Sequence, residues 1–136
     1  MSISARPNPV INCPLTATWA AIGGKWKLTI VHLLAREPRH FAELRRRLDA
    51  VSDGVSQKVL SQQLRDLMAD GIVARQSSGR SPSPVIYSLT EYGRTALPLL
   101  DLVRRWGEVH LMRTGSAREV LSCAVVSNPE RRPIED

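Results

Sequence analysis

SQKVLSQQLRDLMADG, Ser56 to Gly71, is the stretch on which the fold turns. Leu60, Leu64, Leu67 and Met68 recur at i, i+4, i+7 and i+8, which gathers four apolar side chains on one stripe of a helix. That stripe predicts a core face. The same period collects Lys58, Ser61, Gln62 and Arg65 on the other side, with Ser56 and Gln57 at the first turn. These side chains donate and accept hydrogen bonds of the kind that reach phosphates and base edges in a major groove. Ser56 is suited to cap the helix and Gly71 to stop it. A polar outer face alone fits a solvated surface helix better than a nucleic-acid interface, so the neighbouring segments decide between them.

Immediately upstream, Arg39–Phe41 is short enough for a brief strand, and Ala42–Leu48 predicts a helix with Phe41, Leu44 and Leu48 inward. Arg45, Arg46 and Arg47 point elsewhere. The turn Asp49–Val55 holds Ser52, Asp53 and Gly54, residues that favour local side-chain bonds and positive backbone angles, so it joins two helices at a sharp angle. Further back, Pro14 opens a short helix with Leu15, Trp19 and Ile22 at helical spacing, ended by Gly23 and Gly24. Lys25–Ala35 predicts a second helix with Trp26, Ile30, Leu33 and Leu34 inward, closed by Pro38. Gly24 and Lys25 do not make a phosphate loop, because Trp19 stands where its first glycine belongs and Trp26 replaces its Ser/Thr.

Downstream of Gly71 the period falls to about two, with β-prone runs at Ile72–Arg75 and Val85–Leu89. The loop Ser77–Pro84 between them, SSGRSPSP, reads as a wing. Thr90 caps a long helix through Met112, which Pro98 kinks or divides. Leu99, Leu102, Val103 and Trp106 extend its apolar stripe, part of which is expected to face a second subunit. Residues 1–12 read as a flexible or extended arm, 13–112 as one domain, and 113–136 as an extension. Val120–Val126 is compatible with a short helix or strand.

The chain has 136 residues, a formal charge of +6 and a sequence pI near 10.1. Residues 113–136 carry four basic and four acidic side chains, so the whole excess belongs to residues 1–112, with 15 basic against 9 acidic groups. A basic body implies an anionic partner, most simply nucleic acid, although it also fits a basic solubility surface. No run approaches a membrane span and residues 2–12 lack the apolar core of a secretion signal, so a cytoplasmic chain is expected. Two cysteines, Cys13 and Cys123, are too few for a disulfide-dense scaffold or a four-cysteine zinc site. His32, His40 and His110 are scattered, and no G-x-S-x-G signature is present. Neither an enzyme nor a cofactor or metal is expected.

The order of elements describes a winged helix-turn-helix: mainly helical, with a small two- or three-stranded wing. Its residues go further. CPLTATWAAIGGKWKLTIVHLL, RHFAELRRRL, VSQKVLSQQLRDLMADGIV, VIYSLTEYGRTALPLL and WGEVHL resemble the HxlR-type transcriptional regulators, relatives of the MarR group, over Cys13–Leu111. The resemblance implies a homodimeric repressor or activator of bacterial type that binds double-stranded DNA, joined through its first and last helices. Two departures stand out: the turn DAVSDGVS is slightly longer than the common family form, and so is the tail after Leu111.

Two recognition helices on a dimer imply a near-palindromic operator with half-sites about one turn apart. Gln62 is placed to read adenine, Arg65 to take a guanine edge or a phosphate, and Ser56, Lys58 and Ser61 to hold phosphates, with Gln57 beside them. Ser56 acting only as a cap, and Arg65 pairing with Asp66 or Asp70, are the plainer readings. Arg45, Arg46 and Arg47 form a charge run that suits backbone contact or a solvated face equally. Arg80 at the wing tip suits the minor groove or open water. By resemblance, Cys13 is a candidate sensor of oxidants or electrophiles. The helix dipole and Lys25 or Lys27 would favour its thiolate, and Cys123 is a candidate resolving thiol. A small apolar contact in the dimer interface is the alternative for Cys13. A small-molecule effector between the wing domain and the long helix, or a winged helix that binds only protein, are the other readings.

Overall fold

Ile30, Leu33 and Leu34 from one helix and Leu60, Leu64 and Leu67 from another are sealed from solvent in a single core, and the elements that carry the site are hung on that cluster. The computed structural model describes residues 12–51, 54–77 and 84–115. In chain order the elements are α1 (Pro14–Ile22), α2 (Lys27–Leu34), β1 (Arg39–His40), α3 (Phe41–Val51), α4 (Gln57–Ala69), β2 (Val73–Ser77), β3 (Val85–Leu89), α5 (Glu91–Arg94) and α6 (Leu97–Thr114). The arm, Ser52 and Asp53, the wing tip with Arg80, and the tail with Cys123 and Val120–Val126 lie outside the described residues.

The helix predicted between Ser56 and Gly71 forms with both of its expected ends. Ser56 is extended, and its Oγ accepts from the Val59 N–H at 3.1 Å. At the other end Asp70 is the C-cap and Gly71 takes φ +74°, a conformation that only glycine adopts without strain. The Gly71 N–H donates to Met68 O at 3.0 Å and the Ile72 N–H to Leu67 O at 2.9 Å. This pair of bonds is a Schellman motif, and it turns the chain directly into the sheet.

Three strands pair antiparallel in the order β1-β3-β2, with Val73 opposite Leu89, Ser77 opposite Val85 and Arg39 opposite Tyr87. Two longer strands make the wing, and the third is the brief Arg39–His40 segment expected from the sequence. Arg39 itself is buried. Its Nε donates to Leu33 O at 3.1 Å, and one terminal nitrogen meets Glu43 at 2.7 Å and Glu37 at 3.2 Å. A buried charge is tolerable only when paired in this way.

Two helices differ in extent from the sequence expectation: α3 runs on to Val51, into the expected turn, and α2 is shorter at its start. The second helix starts at Lys27 rather than Lys25, because Gly24 is left-handed at φ +92° and Trp26 becomes the N-cap, with the Lys25 ammonium 5.0 Å from its ring centroid. The long helix after Thr90 is divided, one of the two outcomes expected of Pro98. Pro98 sits in the first turn of α6, where its missing N–H has no partner to lose. The Thr90 side chain caps α5 by accepting from Gly93 N at 2.9 Å, and the Thr90 N–H donates to Ile72 O at 3.0 Å. Gly93 packs so closely there that a Cβ would collide with the Ile72 carbonyl oxygen.

Candidate nucleic-acid interface

α3, the turn that follows it and α4 form the helix-turn-helix, and β2 with β3 forms the wing beside it. The turn is held by two bonds to one residue. Asp49 Oδ1 accepts from the Val55 N–H at 2.8 Å, and Arg45 Nε donates to Val55 O at 3.2 Å. Arg45 therefore also braces the entrance to α4, a role that the charge run RRR does not disclose. Asp49 is the other residue missed at the sequence level, although an Asp beside a Ser/Asp/Gly turn is a usual source of such bonds.

On α4, Gln57, Lys58, Gln62 and Arg65 are exposed, as is the capping Ser56, while Ser61 is half-buried. Arg45 and Arg46 are exposed on α3 and share a groove with Phe41, Asp49 and Gln57, which brings them to the start of α4. Arg47 instead turns back to Glu43 at 3.3 Å. On α4, Arg65 is bonded to Gln62. Its Nη2 donates to Gln62 Oε1 at 3.2 Å, and Gln62 Nε2 donates to Asp66 Oδ1 at 2.9 Å. Asp66 Oδ2 in turn lies 3.7 Å from Lys27 Nζ, a lysine buried on α2.

Cys13 is exposed at the N-cap of α1. Its pKa is lowered chiefly by the Thr16 backbone N–H, then by the Thr16 side chain and the Leu15 backbone N–H, with slight burial opposing them. Lys25 and Lys27 are not among the causes, since one sits over Trp26 and the other pairs with Asp66. Leu15 and Trp19 of α1 and Leu102, Val103, Trp106, Val109 and Met112 of α6 are exposed, while Leu100 of that helix is buried. Trp106 stacks on His110 with ring centroids 5.1 Å apart.

Residues 21–115 match the family described as HxlR-like helix-turn-helix. The chain belongs to that family. It is similar to the HTH-type transcriptional regulator YtcD of Bacillus subtilis, at 37% identity over 118 residues, covering 86% of this chain and 90% of YtcD. Among solved structures, the redox regulator HypR in its reduced form has a TM-score of 0.69 at 38% identity, covering 76% of this chain and 99% of HypR. The reduced form of the transcriptional regulator YodB from B. subtilis has a TM-score of 0.61 at 29% identity, covering 72% and 93%. Like its HxlR relatives, the chain is a winged helix-turn-helix regulator of transcription. Among the described residues, no helix is long and apolar enough to cross a membrane.

Proposed function

We propose that the chain represses transcription by binding a near-palindromic DNA operator as a cytoplasmic homodimer, with α4 of each protomer in a major groove. The division of α4 carries this reading: Leu60, Leu64 and Leu67 are sealed in the core, while Gln57, Lys58, Gln62 and Arg65 stand in solvent. Gln62 reads an adenine edge, Arg65 takes a guanine edge or a phosphate, and Ser56, Gln57, Lys58 and Ser61 hold phosphates. Arg45 and Arg46 hold the flanking backbone, and Arg80 reaches the minor groove from the wing tip. The unit that does this is residues 13–112, with 1–12 as an arm and 113–136 as an extension. The apolar side chains left exposed on α1 and α6 supply the surface that a second protomer covers.

Selection of binding sites from random duplex DNA tests this reading. The expected outcome is a two-fold symmetric site with half-sites about 34 Å apart. Gln62→Ala then weakens the preference at one position of each half-site by about 1–3 kcal/mol, whereas Lys58→Ala weakens all sequences alike. Absence of any enriched sequence, with no salt-sensitive retention of DNA, would leave a protein-binding winged helix in its place.

Control by thiol oxidation belongs to the same proposal, supported by the exposed Cys13 with its lowered pKa and by similarity to HypR, solved in reduced and oxidized forms. The Cys13 thiolate attacks a peroxide to give sulfenic acid and release its reduced oxygen. A second thiol, for which Cys123 is the candidate, then closes a disulfide and releases water. The linkage moves the helices of the dimer and changes the spacing of the two α4 helices. Operator titrations of wild type and Cys13→Ser that coincide with and without peroxide or diamide would remove this step. A small-molecule effector is the second reading, favoured by a cavity of about 130 Å³ between α2 and α6, lined in part by Leu28, His32, Leu100 and Arg104.

A further inference from the structure

We propose that Lys27, on α2 and behind the DNA-facing surface, sets the base preference of α4 by fixing the Gln62 amide through Asp66; this rests on the DNA-binding reading of α4 given above. Lys27 sits among the apolar residues of α2, where Ile30, Val31, Leu33 and Leu34 are all buried, and its own side chain is only 9% exposed. Packing alone would be served by an unbranched apolar residue at this position. A buried ammonium is costly unless it is paired, and its pair here is a carboxylate on the recognition helix.

The two oxygens of that carboxylate face different side chains. Asp66 Oδ2 faces Lys27 Nζ at 3.7 Å, while Oδ1 accepts from Gln62 Nε2 at 2.9 Å. At the far end of the same amide, Gln62 Oε1 accepts from Arg65 Nη2 at 3.2 Å. A carboxylate only accepts and a guanidinium only donates, so the two ends of the amide cannot exchange places. Its nitrogen is held towards Asp66 and its oxygen towards Arg65. Each contact uses one of the two N–H bonds and one of the two lone pairs, and leaves one of each for a base edge. An edge with an acceptor beside a donor in matching order, as adenine N7 and N6 provide, satisfies the fixed amide; the reversed order leaves both pairs opposed.

Removing the Lys27 charge takes away the cation that faces Asp66 Oδ2, which loosens the carboxylate and with it the Gln62 amide. Lys27 is thus a positioning residue, and its loss is read as specificity rather than as affinity. The test uses the full chain and the operator obtained by site selection. The Gln62-dependent base pair is first located with Gln62→Ala. The ratio of affinities for that operator and for a copy substituted at this base pair is then measured for wild type, Lys27→Met and Asp66→Ala, with a melting curve for each. Both variants are expected to lower the ratio about five- to tenfold at that position, while ratios at other positions and affinity for random duplex stay within about twofold. Asp66→Ala removes the relay itself, and Lys27→Gln, polar but uncharged, carries the test should Lys27→Met not fold. An unchanged ratio in the folded Lys27 variant or in Asp66→Ala, or a loss spread evenly over all positions, overturns the proposal while the DNA-binding reading stands. If Gln62→Ala changes no position, the assignment of Gln62 as a base reader fails first and the proposal with it.

Discussion

Arg65 donates from Nη2 to Gln62 Oε1 at 3.2 Å on the exposed face of α4, so the two side chains proposed to read base edges form one unit. Residues that share a hydrogen bond do not contribute additively. Alanine substitutions made singly and together, measured as operator affinity, are expected to give a coupling energy of about 0.5–3 kcal/mol. Strictly additive losses would mean that the pair separates before either residue touches a base.

Leu64 is 1% exposed at the centre of the apolar stripe of α4. Leu64→Ala should cost about 2–5 kcal/mol of folding stability through lost burial and the cavity left behind. Thermal or urea unfolding of the variant checks this, and an unshifted melting curve would contradict the packing of α4 described here.

Arg39 and Glu43 link α3 to the end of α2, and their pairing is expected to shape the acid limb of stability. Burial raises the Glu43 pKa, but hydrogen bonds and charge from Arg39, with Arg47 beside it, outweigh that effect and hold the carboxyl below its usual range. The folded pKa is the lower one. The resulting stabilisation is therefore complete above the ordinary glutamate value, about 4.3, and is lost as pH falls through the depressed folded value. Urea unfolding from neutral to acid pH should show a shallower loss for Glu43→Gln than for wild type. Arg39→Ala, which leaves the Leu33 carbonyl without its donor while Glu43 keeps Arg47, should cost about 1–3 kcal/mol at neutral pH.

Cys13 should titrate below an ordinary thiol because the N–H groups at the open end of α1 favour its thiolate. The rate of alkylation by iodoacetamide, followed against pH at Cys13 by peptide mass spectrometry, is expected to reach its midpoint below that of a free cysteine in a peptide. A midpoint equal to that of the free thiol would remove the helix-end effect.

Trp106 is 69% exposed on α6, among other uncovered apolar residues. A charge placed there, as in Trp106→Glu, is expected to shift the proposed dimer towards monomer in sedimentation at micromolar concentration without lowering the melting temperature of the monomer. Equal sedimentation of variant and wild type would move the dimer contact to another surface.

The helix at the centre of the fold was legible in the sequence because its information is local. Four apolar residues at helical spacing, a serine that accepts from the N–H three residues on, and a glycine with positive φ all lie within Ser56–Gly71. Arg39 and Lys27 were not legible, since composition places charges outside, and the Leu33 carbonyl, Glu37, Glu43 and Asp66, brought up by folding, make their burial tolerable. The same limit applies to the outward face of α4. Periodicity identifies Gln62 and Arg65 as outward residues, but their bond to each other depends on rotamers. On α6 the period identifies an apolar face without saying what covers it, and Leu100 rather than the exposed residues of that face enters the core.

Between α4 and β2 lie only Asp70, Gly71 and Ile72, bonded back onto Met68 and Leu67 and pressed against Gly93. So short a connection couples the end of α4 to the start of the wing. In the proposed dimer on DNA, adjustment to a longer or shorter operator would then fall to the junction between protomers rather than to this corner.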